Sequence, residues 1–285
     1  MLTGQDLLSV EMLQPILPSR QSDAHKGDAG SVALIGGDDG MLGAIILASR
    51  AASLIGAGRV YAAMLGKSAP AVDILHPELM MRSPSALVAL PQLDCVAIGP
   101  GLGRSSLALE VLAFWLQRQV ALLLDADALN IIAANVDLEN QLRKCPGEVV
   151  ITPHVGEAAR LLGLSAESVQ KNRVEMALAL AKRLQVTCVL KGAGTVIAQR
   201  DGQYVINPTG NPALAAAGTG DVLSGAIAGL VAQGLVAVDA VKLGVYVHGA
   251  AADALVARGI GPLGVSASEI ALEMRSVINR LNQNL

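Results

Sequence analysis

The residues best suited to chemistry form one short segment, Gly218-Thr219-Gly220-Asp221. Its small residues let a ligand approach the backbone closely, and the apolar sequence after them predicts a helix beginning near Gly220. Because the free amides and positive dipole end of a helix attract anions, the segment is suited to a phosphate group. A carboxylate beside that anion hole could take a proton from a substrate hydroxyl. Helix capping would also explain Asp221, but a cap does not need three compact residues before it.

A second candidate segment, Lys191-Gly192-Ala193-Gly194-Thr195, ends one predicted strand and begins another. Its glycines permit a tight turn against a flat or phosphorylated ligand, and Lys191 supplies a positive charge. Taken alone, the segment is better explained as a simple hairpin with a surface lysine. Its position 30 residues before Asp221, on the same predicted edge of the sheet, favours a nucleotide pocket.

Two further polar clusters offer acid, base or metal-binding groups. In Thr152-Pro153-His154-Val155-Gly156-Glu157, the histidine and the glutamate are three residues apart and share a helix face. Capping would explain Glu157; alternatively, His154 contacts a substrate and Glu157 orients water on a magnesium ion, which usually keeps several waters. Asp127 could cap the next helix, whereas Asp125, at the tip of an apolar strand, is harder to explain by a structural role.

The elements that must position these residues alternate between short apolar strands and longer helices, which predicts an α/β fold with a mainly parallel sheet covered on both faces. Predicted strands cover 31–35, 59–64, 94–98, 120–124, 148–151, 187–190, 195–198 and 204–206. Predicted helices cover 42–55, 106–118, 128–134, 156–162, 168–184, 220–233, 238–258 and 266–281. We expect residues 1–22 to form an N-terminal arm and residues 23–285 to form one domain.

Ligands of such a sheet bind at the carboxyl ends of its strands. Five glycine-rich or polar clusters follow predicted strands directly, and their number favours one shared cleft over a set of ordinary turns. They are Gly36-Gly37-Asp38, Gly99-Pro100-Gly101-Leu102-Gly103, Asp125-Ala126-Asp127, Thr152-Pro153-His154 and Lys191-Gly192-Ala193-Gly194.

Composition excludes several classes of partner. The formal net charge is −3 and only 2% of residues are aromatic, which leaves little basis for binding nucleic acid. The apolar run between Asp221 and Asp239 is short for a membrane span, and the N-terminus does not resemble a signal peptide. The three cysteines lack metal-ligand spacing, which favours buried thiols in a reducing compartment. We therefore expect a cytoplasmic protein with no membrane partner.

Taken in order, several segments resemble the ADP-dependent NAD(P)H-hydrate dehydratases, a family of the ribokinase-like superfamily. The resemblance implies a ribokinase-like three-layer sandwich. The segments are Lys26-Gly27-Asp28-Ala29-Gly30-Ser31, Gly36-Gly37-Asp38 with Gly43-Ala44, and the stretches 98–103, 125–130, 152–157, 190–195 and 210–225.

The resemblance also implies a repair reaction, in which the S epimer of hydrated NADH or NADPH loses water at the expense of ADP. By motif matching, Ala44, Gly103, His154 and Asp221 would contact the hydrated dinucleotide. The adenine nucleotide would be held by Lys191, Gly192, Ala193, Gly194, Thr195 and Gly220, with Gly218, Thr219 and Gly220 as the anion hole.

The remaining expectations concern the metal, the assembly and the partner activity. Glu157 falls where superfamily kinases carry a glutamate that organises magnesium-bound water. A low charged fraction of 16% and the resemblance both favour a homo-oligomer, a homotetramer by the family pattern. The family occurs alone or fused to an epimerase domain; the few residues before Lys26 predict the stand-alone form, which would depend on a separate NAD(P)H-hydrate epimerase.

Two other functions fit parts of the sequence. A ribokinase-like small-molecule kinase, of the thiazole-alcohol or pyridoxal type, would use the same aspartate and anion hole to phosphorylate a hydroxyl. A nucleotide-sensing module would bind adenine nucleotides without turnover, but the carboxylate at the anion hole argues against it. The sequence leaves open the choice between hydrated NADH and NADPH, and between ADP and ATP.

Overall fold

The computed structural model of the chain describes residues 7–18, 23, 25 and 27–283. Within them, nine strands form one sheet in the order β3-β2-β1-β4-β5-β6-β7-β8-β9. All neighbouring pairs are parallel except β7 with β8 and β8 with β9. The strands are β1 (Ser31–Gly36), β2 (Arg59–Met64), β3 (Met80–Arg82), β4 (Cys95–Ile98), β5 (Ala121–Leu124), β6 (Val149–Ile151), β7 (Thr187–Leu190), β8 (Val196–Ala198) and β9 (Tyr204–Ile206).

Helices connect most of the strands. The α-helices are α1 (Val10–Leu13), α2 (Leu42–Leu54), α3 (Pro84–Leu87), α4 (Ser106–Trp115), α5 (Asp127–Ala133), α6 (Val136–Arg143), α7 (Val155–Leu162), α8 (Ala166–Lys171), α9 (Arg173–Leu184), α10 (Thr219–Ala232), α11 (Ala237–Ala257) and α12 (Ala267–Gln283). Short 3₁₀ helices cover Gln14–Ile16 and Pro212–Leu214.

Two hydrophobic cores lie on opposite faces of the sheet. In β1, Val32 and Leu34 pack into the core formed with α2, α10, α11 and α12. Ala33 and Ile35 point the other way, into the core formed with α4 to α9. Because successive side chains of a strand face opposite sides, a strand covered on both faces must be apolar throughout. The predicted three-layer α/β sandwich with a mainly parallel sheet is confirmed.

Several boundaries differ from the sequence-based prediction. The helix predicted over 168–184 is broken at Asn172, whose φ of −128° and ψ of 46° are not helical, so that α8 ends and α9 begins there. The edge strand β3 and the helix α6 were not predicted. Three residues of β3 are too few to show a periodicity, and α6 carries charged and amide side chains on most of its surface.

The described part of the predicted N-terminal arm contacts the domain. Leu7 pairs with Ile206 of β9, and Leu8 and Leu13 are buried. The rest of that arm prediction, residues 1–6 and 19–22, lies outside the described residues, as does Lys26 of the first family-like motif.

One helix, α11, is long and apolar enough by composition to cross a membrane. In the structure, 61% of its most apolar window is buried inside the protein. It packs against α10 and α12 and contributes Val241, Leu243 and Val247 to the core. These contacts are those of a central helix in a folded domain.

Candidate active site

The amino-terminal end of α10 is shaped by two glycines. Gly218, the residue before the helix, has a φ of +86°, and a Cβ there would lie 2.5 Å from Leu47 of α2. Gly225 lets α10 cross α2 closely, since a Cβ at that position would meet the Ala48 carbonyl oxygen at 1.9 Å. A side chain at Gly225 would therefore push α10 away from α2, and one at Gly218 would be strained by the positive φ.

Asp221 occupies the first turn of α10. Burial and the nearby Asp125 carboxylate together raise the pKa of its carboxyl to about 7, and Lys191 opposes both effects. A carboxyl with a pKa close to neutrality can be deprotonated at physiological pH and still accept a proton readily. The side chain therefore has the property that a general base needs.

Behind Asp221 lies a buried charged network. The ammonium of Lys191 donates a hydrogen bond to Asp125 Oδ1 at 2.7 Å, and the Ser224 hydroxyl donates to Asp125 Oδ2 at 2.7 Å. Ser224 lies on α10, three residues after Asp221, so the network ties the helix to the carboxyl ends of β5 and β7. The Ala126 amide also donates to Asp125 Oδ1, at 2.9 Å. Asp125 is 1% exposed, and a carboxylate at that depth would be strongly unfavourable without these donors.

The backbone next to this network is strained. Ala126 has a φ of +50°, a conformation that non-glycine residues rarely adopt. It connects Asp125 to α5, which begins at Asp127. Such strain is retained only where surrounding contacts over-determine the conformation, and it is concentrated at functional sites.

A cavity of about 460 Å³ opens beside the start of α10. Six residues of the two predicted segments line it: Lys191, Gly192, Ala193, Thr195, Thr219 and Gly220. Gly194 belongs to the same turn but does not line the cavity. The opposite wall comes from the loop between β9 and α10 and from α11, and it includes Asn207, Thr209, Asn211, Pro212, Leu214 and His248.

His248 lies on α11, where Nε2 is 3.0 Å from the carbonyl oxygen of Thr219. Burial lowers the pKa of this histidine to about 4, so the ring is neutral and Nε2 carries the hydrogen that the carbonyl accepts. His248 therefore links α11 to the first turn of α10. This buried, hydrogen-bonded histidine also lines the cavity.

Two more predicted substrate contacts are Gly103, in the turn after β4, and Ala44, near the start of α2. The Gly103 amide donates to Asp127 Oδ2 at 3.0 Å, so Asp127 fixes this turn. A Cβ built on Gly101 would lie 3.3 Å from the Cβ of Ala44, which shows that α2 and the turn after β4 are in contact. Neither Ala44 nor Gly103 lines the 460 Å³ cavity.

His154 and Glu157 form a capping box at the start of α7. The His154 amide donates to Glu157 Oε2 at 2.8 Å, and the Gly156 amide donates to His154 Nδ1 at 2.9 Å. Because Nδ1 is an acceptor, the neutral ring carries its hydrogen on Nε2, which lies 3.2 Å from Glu157 Oε1. Burial lowers the pKa of His154, and Lys191 and Arg160 lower it further. The capping contacts alone thus account for the position of Glu157.

Among the described residues, no group of three or more His, Cys, Asp or Glu side chains is placed to hold a metal ion. A magnesium ion needs no such cage, since it binds through one or two carboxylates, water and substrate phosphates. Glu157 is buried, and burial raises the pKa of its carboxyl. A cation beside this carboxyl would favour the ionised form, so the donor set is compatible with magnesium held through water.

Two residues of this region, Ser224 and Arg173, were not predicted from the sequence. Ser224 has a local signal, because it is a hydroxyl residue one helical turn after Asp221 in an otherwise apolar helix. Arg173 has none, since a basic residue within a predicted helix is common. Its guanidinium donates to the carbonyl oxygens of Leu190, Lys191 and Gly194.

Known structures resemble this chain over nearly its full length. The ADP/ATP-dependent NAD(P)H-hydrate dehydratase from Bacillus subtilis, co-crystallised with ATP/Mg²⁺, matches with a TM-score of 0.85 and 32% identity, covering 96% of this chain and 98% of that one. A ribokinase-like superfamily protein from Enterococcus faecalis matches with a TM-score of 0.83 and 30% identity, covering 99% and 98%. The predicted ribokinase-like fold is confirmed.

Sequence comparisons lead to the same family. The ADP-dependent (S)-NAD(P)H-hydrate dehydratase of Neisseria meningitidis is 37% identical over 273 residues, covering 95% of this chain and 92% of that protein. The bifunctional NAD(P)H-hydrate repair enzyme Nnr of Coxiella burnetii is 40% identical over 281 residues, which are 97% of this chain but 56% of that relative's length. A family model described as NAD(P)H-hydrate dehydratase matches residues 32–274. The chain belongs to the NAD(P)H-hydrate dehydratase family.

Proposed function

We propose that this chain is an ADP-dependent dehydratase, which restores NADH and NADPH from the S epimer of their hydrated forms and produces AMP and phosphate. The observation that carries the proposal is the position of Asp221. Its half-buried carboxyl has a pKa of about 7. It lies in the first turn of α10, beside the cavity that Lys191 and Gly220 line. Family membership supplies the substrate class, and this geometry supplies the chemistry.

The cavity is the proposed site of the adenine nucleotide. The turn formed by Lys191, Gly192, Ala193, Gly194 and Thr195 would hold the nucleotide, together with Gly220. The Lys191 ammonium lies 3.5 Å from the point where a Cβ of Gly220 would be. One positive charge and one helix terminus thus converge, an arrangement that favours a phosphate group.

The hydrated dinucleotide would bind on the other side of Asp221, against Ala44, Gly103 and His154. Gly103 has a φ of +71°, and a Cβ at this position would lie 2.5 Å from Asp38 Oδ2, so this turn is built around a residue without a side chain. The neutral His154 ring offers an Nε2–H donor when it turns from Glu157, and its side chain is 55% exposed. The two ligands would then meet at the start of α10.

In the proposed mechanism, the Asp221 carboxylate takes the proton of the ring hydroxyl, and that oxygen attacks the terminal phosphoryl group of ADP. AMP leaves as the new phosphate ester forms, while amides of Gly218, Thr219 and Gly220 stabilise the phosphoryl oxygens. The lone pair of the ring nitrogen then expels phosphate, and loss of a proton from the adjacent ring carbon restores the dihydropyridine. Phosphorylation thereby replaces hydroxide, a poor leaving group, with phosphate.

Magnesium is the proposed metal, with Glu157 orienting one of its water ligands. When bound, the ion would neutralise phosphate charge. Burial raises the Glu157 pKa, and a cation beside the carboxyl would oppose that shift. Co-crystallisation of the B. subtilis relative with ATP/Mg²⁺ supports both the metal and a cavity that admits either nucleotide.

The proposed setting is the cytoplasm, with a homotetrameric assembly and no nucleic-acid or membrane partner. Burial of Cys95 and Cys188 as free thiols is compatible with a reducing compartment. An NAD(P)H-hydrate epimerase is the proposed functional partner, because it would convert the R epimer into the one this enzyme uses.

The decisive experiment mixes the protein with hydrated NADH, ADP and magnesium and follows the absorbance band of reduced nicotinamide. Recovery of the band, with AMP and phosphate released in equal amounts, is expected. A stable phosphorylated alcohol would instead indicate a small-molecule kinase, and saturable binding without turnover would indicate a sensing module. Parallel assays with ATP and with hydrated NADPH define the preferred substrates.

A further inference from the structure

Arg173 contacts the nucleotide-binding turn from the side away from the cavity. Its Nη2 donates to Leu190 O at 2.9 Å and to Gly194 O at 3.3 Å, and its Nη1 donates to Lys191 O at 3.4 Å. One guanidinium therefore holds three carbonyls across five consecutive residues. Arg173 does not itself line the cavity.

The position of Arg173 is unfavourable for the helix that carries it. It is the first residue of α9, where the positive end of the helix dipole disfavours a cation. Burial also lowers the pKa of its guanidinium. Its hydrogen bonds in the described part of the chain go to carbonyls and to Gln170, and none goes to a carboxylate. Helix stability therefore does not explain an arginine at this position.

The contacts with Arg173 set the direction of the amides in the turn. In a trans peptide, the carbonyl and the following N–H point in opposite directions. Because the carbonyls of Lys191 and Gly194 face the guanidinium, the N–H groups of Gly192 and Thr195 point away from it. Both of these residues line the cavity.

Gly192 shows how tightly this contact is fitted. Its φ is +145°, and a Cβ at this position would lie 2.8 Å from Arg173 Nη1. A larger residue would therefore push the guanidinium away from the carbonyls. Glycine at position 192 leaves the room that Arg173 occupies.

We propose that Arg173 is a positioning residue for the nucleotide, which fixes the turn so that the Gly192 and Thr195 amides and the Lys191 ammonium face the phosphates. The inference rests on the proposed adenine-nucleotide site. Arg173 touches no substrate and acts only through the backbone it holds. Lysine cannot replace it, because a point charge lacks the planar fork that reaches several carbonyls at once.

The test compares Arg173→Lys and Arg173→Met with the control Arg183→Lys. Arg183 lies on the same helix and makes a bidentate pair with Glu139 away from the cavity, so its replacement removes an equivalent fork. Calorimetry with ADP, KM values for ADP and for hydrated NADH, and Tm are measured for each protein. We expect the Kd and KM for ADP to rise about tenfold in Arg173→Lys, with the KM for hydrated NADH within about twofold of wild type.

Unchanged ADP affinity in both Arg173 variants would overturn the proposal. Equal losses of affinity for ADP and for hydrated NADH, together with a lowered Tm, would also overturn it, because they indicate general structural damage.

Hydrogen exchange tests the proposal in the wild type, without a variant. ADP should slow exchange of the Gly192 and Thr195 amides, and unaltered exchange would contradict the proposal. If the wild type binds ADP but does not dehydrate hydrated NADH, the proposed function is wrong, and calorimetry still tests the role of Arg173. If the wild type does not bind ADP, the proposed function and the proposed role of Arg173 are both wrong.

Discussion

The two ends of the sheet carry cavities of nearly equal volume but opposite character. The proposed nucleotide cavity at the carboxyl end measures about 460 Å³, and a cavity at the amino end, beside the starts of β6, β7 and α11, measures about 480 Å³. The charged residues of the amino-end cavity, Arg143, Glu148, Arg200 and Asp201, are solvent-exposed. Volume therefore does not distinguish a candidate active site in this protein.

Buried charge does distinguish the two ends. At the carboxyl end, Asp125 and Glu157 are buried, the side chain of Lys191 is only 18% exposed, and a pKa of about 7 is found at Asp221. Burying such groups is unfavourable, so they persist where chemistry requires them. The amino-end cavity carries no such arrangement within the described residues, and its charged side chains are exposed to solvent.

The largest expected effect follows from removing the proposed base. Asp221→Ala should lower kcat by about 10³-fold, within the range that general acid–base catalysis supplies. ADP binding should survive, because the nucleotide cavity is lined by other residues. Turnover and ADP calorimetry on the same preparation measure both quantities. Near-normal turnover would remove Asp221 from the role of base.

A smaller effect is expected from the buried carboxylate behind it. Asp125→Asn leaves Lys191 buried without its anionic partner, which should lower stability by about 3 kcal/mol. It also removes a negative charge that raises the Asp221 pKa, so the acid limb of the pH–activity profile should move to lower pH. Chemical denaturation and the pH dependence of kcat test the two parts separately. A limb that stays in place would show that Asp125 does not influence the base.

The smallest effect is expected at the amino-end cavity. Replacing both Arg143 and Arg200 by alanine should change kcat, the KM for ADP and the KM for hydrated NADH by less than about twofold, since exposed charges contribute little. Steady-state assays beside the wild type provide the measurement. A large loss of activity would show that the amino end of the sheet takes part in function, although its charges are exposed.

Much of this architecture could be predicted from sequence because its signals are local. Strands β2, β7 and β9 were predicted with their observed bounds, and the glycine-rich clusters after the strands indicated the ligand-binding edge. The apolar character of the strands follows from burial on both faces, which a single sequence displays directly. The break between α8 and α9 was missed because Asn172 is compatible with a helix and its surroundings decide otherwise.

The contacts that tune the site could not be predicted, because they join residues far apart in the chain. Ser224 and Asp125 are 99 residues apart, and Lys191 and Asp125 are 66 apart. Each side chain has an ordinary local explanation, and only the packing of α10 across the strand ends brings the three together. The contact of Arg173 with the 190–194 backbone spans only 17 to 21 residues, but it depends on how α9 packs beside β7, which no local pattern displays.

The pH dependence of kcat, measured at saturating ADP and hydrated NADH for the wild type and Asp221→Asn, tests the central claim most directly. A base with a pKa of about 7 must lose its proton to act, so wild-type kcat should rise with pH and level off above neutrality. The asparagine variant has no such group, so its residual kcat should not show this rise, the acid limb of the pH profile. A limb caused by ionisation of ADP would remain in both proteins. The same limb in both proteins would contradict the assignment of Asp221 as the base.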